Sequence, residues 1–260
     1  MHRTAAHWAK ARLGLTLDDW QCAAAGALEQ GNVAVRSCNG AGKTTFAAVT
    51  VSYWLDRYQP SVVVTTASTW RQVSEQLWAE VLRLRRLAVP ALAGEESKTA
   101  IRVSPNHFAL GFSTNDPGLF EGFHSENILV IMDESKSIPD EIFSAVDRLL
   151  STGKKVRLMV ISTPSGKSGG FYNCFTKHRS HFTTFHVPAR PRPGTPWVAK
   201  RVRKEWVETV VAKYGERHPY VMSAVDAEFC DALEDVAVPL EWAEADRKST
   251  RLNSSHANIS

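Results

Sequence analysis

VRSCNGAGKTT, residues 35–45, reads as a phosphate-binding loop with one irregular position. The spacing GxxxxGK[ST] puts its first glycine at Ser37, its second at Gly42, and its lysine and hydroxyl at Lys43 and Thr44. Such a loop surrounds a phosphate with successive backbone N–H groups and a helix N-terminus; the lysine adds a mobile charge and the hydroxyl reaches Mg2+. Gly40 and Gly42 supply freedom where backbone must approach phosphate. The first position mainly turns the chain out of a strand, so Ser37 is compatible with the motif if its backbone angles are ordinary. Both flanks fit: NVAVR, residues 32–36, has a strand pattern, and TTFAAVTVSYWLDRY, residues 44–58, that of an amphipathic helix. Ser37, Cys38, Asn39, Gly40, Ala41, Gly42, Lys43, Thr44 and Thr45 are therefore the candidate nucleotide-binding residues.

Beyond the loop, short β-branched runs alternate with helical patterns. SVVVTTA, ILVIMD, KVRLMVIST and HFTTFHV read as further strands. After Thr69, the residues Trp70, Val73, Leu77, Val81, Leu84 and Leu87 recur every three or four positions, the spacing of one helical face. This alternation predicts an α/β fold with a mainly parallel sheet covered by helices on both faces. IRVSPNHFALGFST, with Pro105-Asn106 at its centre, reads as a hairpin beside that sheet. No internal repeat is found.

Length and composition, 260 residues at 43% hydrophobic, suit one large or two small domains with a sizeable core. The apolar runs fall far short of the roughly 20 residues that cross a bilayer, and no apolar signal core opens the chain, so no membrane association and a cytoplasmic location are expected. Four cysteines, Cys22, Cys38, Cys174 and Cys230, lack CxxC spacing and read as reduced thiols. Cys38, near a helix N-terminus, is expected to have a lowered thiol pKa that would make it a labelling site. The stretch DRKSTRLNSSHANIS, residues 246–260, has no apolar periodicity, and its first part, written as codons, resembles a sequencing adapter. It is read as a non-native translated tail. The formal charge is +4, and setting aside Arg247, Lys248, Arg251 and Asp246 halves it, so charge alone argues little for nucleic acid.

Three further elements carry chemistry. NILVIMDES, residues 127–135, is a buried-type strand delivering Asp133 and Glu134 side by side, a costly pair without a cation. A magnesium nucleotide supplies that cation: Asp133 and Thr44 are the candidate metal ligands, and Glu134 the group that orients or deprotonates an attacking water. LMVISTPSG brings Ser162 and Thr163 to another strand's C-terminal end, where α/β sheets place ligands; these hydroxyls either sense the γ-phosphate or belong to a turn before Pro164. In LTLDDWQ, Gln21 begins a helix, where its amide either reads an adenine edge or faces solvent.

In this order the motifs resemble the ATPase domain of the large subunit of tailed-phage terminases. The resemblance spans Leu15 to Ala245 and rests on DDWQ, RSCNGAGKTT, VVVTTASTWRQVSEQLW, FEGFHSENILVIMDES, STPSGKSGGFY and YVMSAVDAEFCDALEDVAVPLEWAEA. Ser135 and Ser68 stand where the family usually has alanine and proline. The resemblance implies a P-loop NTPase fold of the ASCE/RecA-like kind over residues 1–230, with a linker at 231–245 toward a nuclease domain that this sequence does not carry. It implies ATP and Mg2+ as cofactors and a catalytic set of Glu134, Arg36, Ser162 and Thr163, the last two coupling hydrolysis to movement. Arg36 would stabilise charge on the γ-phosphoryl group, or is a surface cation ending a strand. Arg71 is either a finger reaching a neighbouring subunit or a first-turn helix residue. The implied partners are double-stranded DNA, a portal protein, a small terminase subunit and further copies in a ring, at the procapsid in the host cytoplasm. Alternatives are a helicase-type ATPase, though nothing after Thr163 repeats the pattern, or a nucleotide-dependent assembly module without steady turnover.

ARPRPGTPWVAKRVRKEW, residues 189–206, concentrates Arg190, Arg192, Lys200, Arg201, Arg203 and Lys204 around a helix start. These residues are the candidate DNA contacts. The competing reading is a solvated basic face packing Trp197 and Trp206 inward.

Overall fold

The computed structural model describes residues 4–113, 117–120, 122–151 and 153–231. The expected non-native tail and nearly all of the expected linker, from residue 232 onward, lie outside the described residues. The elements in chain order are α1 (Ala5–Leu13), α2 (Asp19–Gln30), β1 (Asn32–Ser37), α3 (Lys43–Arg57), β2 (Ser61–Ala67), α4 (Trp78–Arg86), β3 (Glu95–Ser97), β4 (Ala100–Ser104), β5 (His107–Ser113), β6 (Asn127–Asp133), α5 (Asp140–Leu149), β7 (Lys155–Ser162), α6 (Gly169–Asn173), β8 (Phe182–Val187), α7 (Lys204–Tyr214) and α8 (Pro219–Ala224). Among the described residues, no helix is long and apolar enough to cross a membrane.

All eight strands form one sheet in the order β3-β4-β5-β2-β6-β7-β1-β8. Every pairing from β5 to β8 is parallel, and the expected hairpin, β4 with β5, extends the sheet antiparallel at one edge. Strand β3 adds a short antiparallel pairing that the periodicity did not suggest, because its three residues are all exposed.

The strands are apolar on both faces, as a sheet covered on both sides requires. Val33, Val35, Val63, Leu129, Ile131, Met159 and Ile161 face α1 to α4. Alternate residues Ala34, Val62, Val64, Ile128, Val130, Met132, Leu158 and Val160 face α5 and α6. Residues 204–225 pack separately, through Val207, Val210, Val221 and Val225, into a small cluster beside the sheet's β8 edge.

The apolar stripe after Thr69 is partly borne out. Val73, Leu77, Val81 and Leu84 are buried, but Trp70 and Leu87 are exposed. The physical reason is the winding: Gln72–Leu77 is a π-helix that continues into α4, and Trp70 and Leu87 lie just outside its two ends.

Candidate nucleotide site

Strand β7 lies between β6 and β1, with Asp133 opposite Ile161 and Arg36 opposite Ser162. The three strands run parallel, so their C-terminal ends meet at one sheet edge. That edge brings together the loop after β1, the carboxylates ending β6 and the hydroxyls ending β7. No two of these groups are close in sequence.

Ser37 ends β1 in extended register with Val187, and only Glu134 and Ala227 have positive φ among described non-glycine residues. A serine therefore fits where the spacing calls for glycine. Gly40 and Gly42 do adopt left-handed conformations, at φ of 72° and 87°, which strain any residue with a Cβ. Gly42 then leads directly into α3, whose N-terminal N–H groups favour an anion.

Lys43 is buried, and its Nζ donates to the Cys38 carbonyl at 3.2 Å and to Thr163 Oγ1 at 2.8 Å. Burial lowers its pKa, opposed by the charges of Glu134 and Asp133. Thr163 Oγ1 in turn donates to Asn39 Oδ1 at 3.0 Å, so the β7 hydroxyl ties the lysine to the loop. Thr44 is half-buried beside it, and Thr45 Oγ1 donates to Glu80 Oε1 at 3.1 Å, directed toward α4.

Asp133 is buried, and its pKa is pushed up to about 7 by burial and by the neighbouring charge of Glu134. Its Oδ1 accepts the Glu134 N–H at 2.9 Å. Glu134 sits in the left-handed region at φ 45°, a strained setting of the kind that clusters at functional sites. Its Oε2 accepts Ser162 Oγ at 3.2 Å. Ser162 thus touches the carboxylate and Thr163 the lysine. Ser135, after the carboxylates, is accommodated because its hydroxyl donates to the Met132 carbonyl at 2.5 Å.

Other expected site residues lie elsewhere or are already engaged. Arg36 has the same strand parity as Ala34, so its side chain leaves the sheet on the face opposite α3. There it pairs with Glu228 and lies 5.5 and 5.9 Å from the Phe229 and Phe175 ring centroids. The structure therefore corrects the expectation that Arg36 faces the loop's phosphate side. Gln21 does not present its amide outward either. It is fully buried, accepting the Asp18 N–H at 2.8 Å and donating to the Gly42 carbonyl at 2.9 Å. The sequence held that signal, since Asp18 and Gln21 have the spacing of a capping box. Cys38 is buried with its thiol pushed up to about 12 by that burial, the reverse of the expected reactive thiol.

The basic segment is mostly paired within the chain. Arg190 forks onto the fully buried Asp226 at 2.7 and 2.8 Å and onto Glu216, and Arg192 reaches Asp226 at 3.1 Å. Lys200 pairs with Asp19 at 2.5 Å and Arg201 with Asp18 at 3.0 Å. Arg203 is exposed, and Lys204 makes only a loose, exposed contact with Glu208 at 3.5 Å. Trp197 packs against Phe185, and Trp206 against the small C-terminal cluster, as the inward-packing reading expects. Arg71 is exposed beside Glu75.

A concavity of about 820 Å³ lies not at this edge but at the opposite strand ends, lined by Asn32, Arg157 and Phe182. Phosphate loops bind through backbone groups and a helix terminus, so the chemistry outweighs cavity size in locating the site.

A parallel sheet with a phosphate loop after β1 and an acidic pair ending β6 defines an α/β nucleotide-binding fold of the P-loop class. Residues 37–229 match the family described as "Terminase large subunit, T4likevirus-type, N-terminal", and the chain belongs to that family. A probable terminase large subunit of Enterobacteria phage P7 is 30% identical over 120 residues, covering 42% of this chain and 22% of that protein. The chain thus matches only a minor part of that curated relative's length. Among solved structures, the large terminase ATPase domain of Thermus phage P74-26 superimposes with a TM-score of 0.65 at 20% identity, over 85% of this chain and 97% of that one. The HK97 bacteriophage large terminase gives 0.63 at 15% identity, over 82% of this chain and 50% of that one. The large terminase of another thermophilic bacteriophage, solved in complex with ADP, gives 0.59 at 11% identity, over 80% and 50%. These structural likenesses establish the fold.

Proposed function

We propose that this chain is the ATP-hydrolysing motor part of a terminase large subunit, driving double-stranded viral DNA into a procapsid. One observation carries the reading: three parallel strand ends bring Lys43, Glu134, Ser162 and Thr163 into one hydrogen-bonded group beside Asp133. Family membership and the complexes of the thermophilic-phage large terminase with ADP and ATP-gamma-S support ATP as the ligand.

The loop from Ser37 to Thr45 would cradle the phosphates, with Lys43 leaving the Cys38 carbonyl for phosphate oxygens. Glu134 would take the proton of the attacking water, its carboxylate oriented by Ser162. Thr163, bonded to Lys43, would register whether that lysine holds a phosphate, and so connect the nucleotide's state to β7. Among the described residues no cluster of three or more His, Cys, Asp or Glu side chains could hold a metal ion by itself. The donors nonetheless fit Mg2+, which is typically held by one or two carboxylates plus substrate phosphates. Asp133 and Thr44 are the residues that would hold it, and the raised pKa of Asp133 marks a carboxylate that a cation would relieve. Bound there, Mg2+ would neutralise charge on the phosphates.

Double-stranded DNA, a portal protein, a small subunit and a ring of copies are the proposed partners, and the host cytoplasm at the procapsid the proposed location, all by analogy with the family. Arg203 and Lys204, exposed at the start of α7, are the cations of the basic segment best placed to meet DNA. The test is steady-state ATP hydrolysis with and without double-stranded DNA, beside Lys43→Ala and Glu134→Gln. Turnover that DNA raises and both variants abolish is the expected result. Hydrolysis indifferent to both substitutions would refute the site, and tight Lys43-dependent binding without turnover would favour an assembly switch.

A further inference from the structure

Residues 200–202 lie across the phosphate loop, far from it in sequence. A Cβ placed on Gly40 would sit 3.7 Å from Val202 Cγ2, and one on Gly42 would sit 3.7 and 3.8 Å from Arg201 Cδ and Nε. Arg201 is held there by its Nε donating to Asp18 Oδ2 at 3.0 Å, beside the Lys200–Asp19 pair. Asp18 is connected to the same glycine by a second route. Its N–H is accepted by Gln21 Oε1, and Gln21 Nε2 donates to the Gly42 carbonyl. A guanidinium and its carboxylate partner therefore both bear on the last loop residue before Lys43.

We infer that Arg201 is a nucleotide-binding residue, whose guanidinium exchanges Asp18 for the phosphate chain of the bound nucleotide. The inference rests on the reading of the loop as a nucleotide site. A partly exposed ion pair such as Arg201 with Asp18 is weak, with the arginine side chain 39% accessible. A polyphosphate offers a planar guanidinium more charge and paired oxygens in a geometry that it matches. Asp18 is the competitor for the cation. That assignment gives the two partners opposite signs: losing Arg201 removes a ligand, whereas neutralising Asp18 frees one.

The experiment is calorimetric titration of the full chain with ATP and with ADP, for wild type, Arg201→Ala, Arg201→Lys, Asp18→Asn and Lys43→Ala. Asparagine keeps the helix-capping ability of Asp18, and thermal unfolding checks that each variant is folded. Arg201→Ala is expected to weaken both nucleotides about tenfold, Arg201→Lys to recover part of that loss, and Asp18→Asn to tighten binding about threefold. Equal weakening by Arg201→Ala and Asp18→Asn would make the pair a brace and overturn the inference. So would affinity unchanged by Arg201→Ala while Lys43→Ala abolishes binding, an outcome that leaves the nucleotide site itself standing. Absence of nucleotide binding by the wild type, or binding indifferent to Lys43→Ala, would overturn both.

Discussion

The strand-end site and the basic segment at residues 189–206 are both built from charged side chains, yet they behaved oppositely between sequence and structure. Parallel register brings Asp133, Ser162 and the end of β1 to one edge, and the loop after β1 then carries Lys43 to them at the start of α3. In the basic segment, Arg190, Arg192, Lys200 and Arg201 take carboxylate partners up to 183 residues away. A motif anchored to a strand end has its destination set by the sheet. A flexible cation has its destination set by whichever carboxylate the fold places nearby, and Arg190 and Arg192 here are held on the buried Asp226 rather than offered to a polyanion.

The largest effect is expected on removing the carboxylate that directly follows β6. Glu134→Gln is expected to lower kcat for ATP hydrolysis by about 10²–10⁴ while nucleotide binding is kept, the range for loss of a general base. Ser162→Ala, which removes only the hydroxyl bonded to Glu134 Oε2, should lower it by a smaller factor, about tenfold. Parallel loss of binding in Glu134→Gln would mean that the carboxylate supports the loop and not the chemistry.

The next effect belongs to the basic segment. Asp226 is fully buried and holds both Arg190 and Arg192, so Asp226→Ala should cost about 3 kcal/mol by denaturant unfolding. A change under about 0.5 kcal/mol would return the two arginines to the solvent-facing role that their clustering suggested.

At the strand ends, stability and function should oppose one another. Folded Asp133 keeps its proton up to about pH 7, whereas an unfolded aspartate gives it up near 4. Over that window the unfolded state binds fewer protons, so this group's contribution is full at low pH and is lost as pH rises toward 7. Asp133→Asn should therefore stabilise the nucleotide-free protein at pH 8 by on the order of 2 kcal/mol, remove that slope and abolish hydrolysis. An unchanged unfolding midpoint between pH 5 and 8 in wild type would refute the burial argument.

Legibility followed the same division. The sheet, both helical layers and the loop were readable because short continuous β-branched runs, helical apolar spacing and the GK[ST] spacing are local signals. Ser37 was readable as tolerable because the strand's end demands nothing of φ. For Gln21 the capping-box spacing made its bond to Asp18 readable, but its reach to the Gly42 carbonyl, 21 residues away, depends on the fold. Cys38 was misjudged because proximity to a helix N-terminus is visible in sequence and complete burial is not. Nothing in AKRV at residues 199–202 announced that Arg201 and Val202 would lie against the loop glycines.

The smallest expected effect belongs to the arginine beside the loop. Arg36 lies one position from the loop, but strand parity sends it to the opposite face, against Phe175, Phe229 and Glu228. A half-buried ion pair and two cation–π contacts together are worth about 1 kcal/mol, so Arg36→Gln should shift unfolding by about that amount. Its kcat should stay within about threefold of wild type, since parity gives the side chain no route to the phosphates without breaking those contacts. A hundredfold fall in kcat at unchanged stability would require the guanidinium to cross the sheet edge during turnover. In that case strand parity would fix where an arginine rests but not where it acts, and the corrected assignment would itself need correcting.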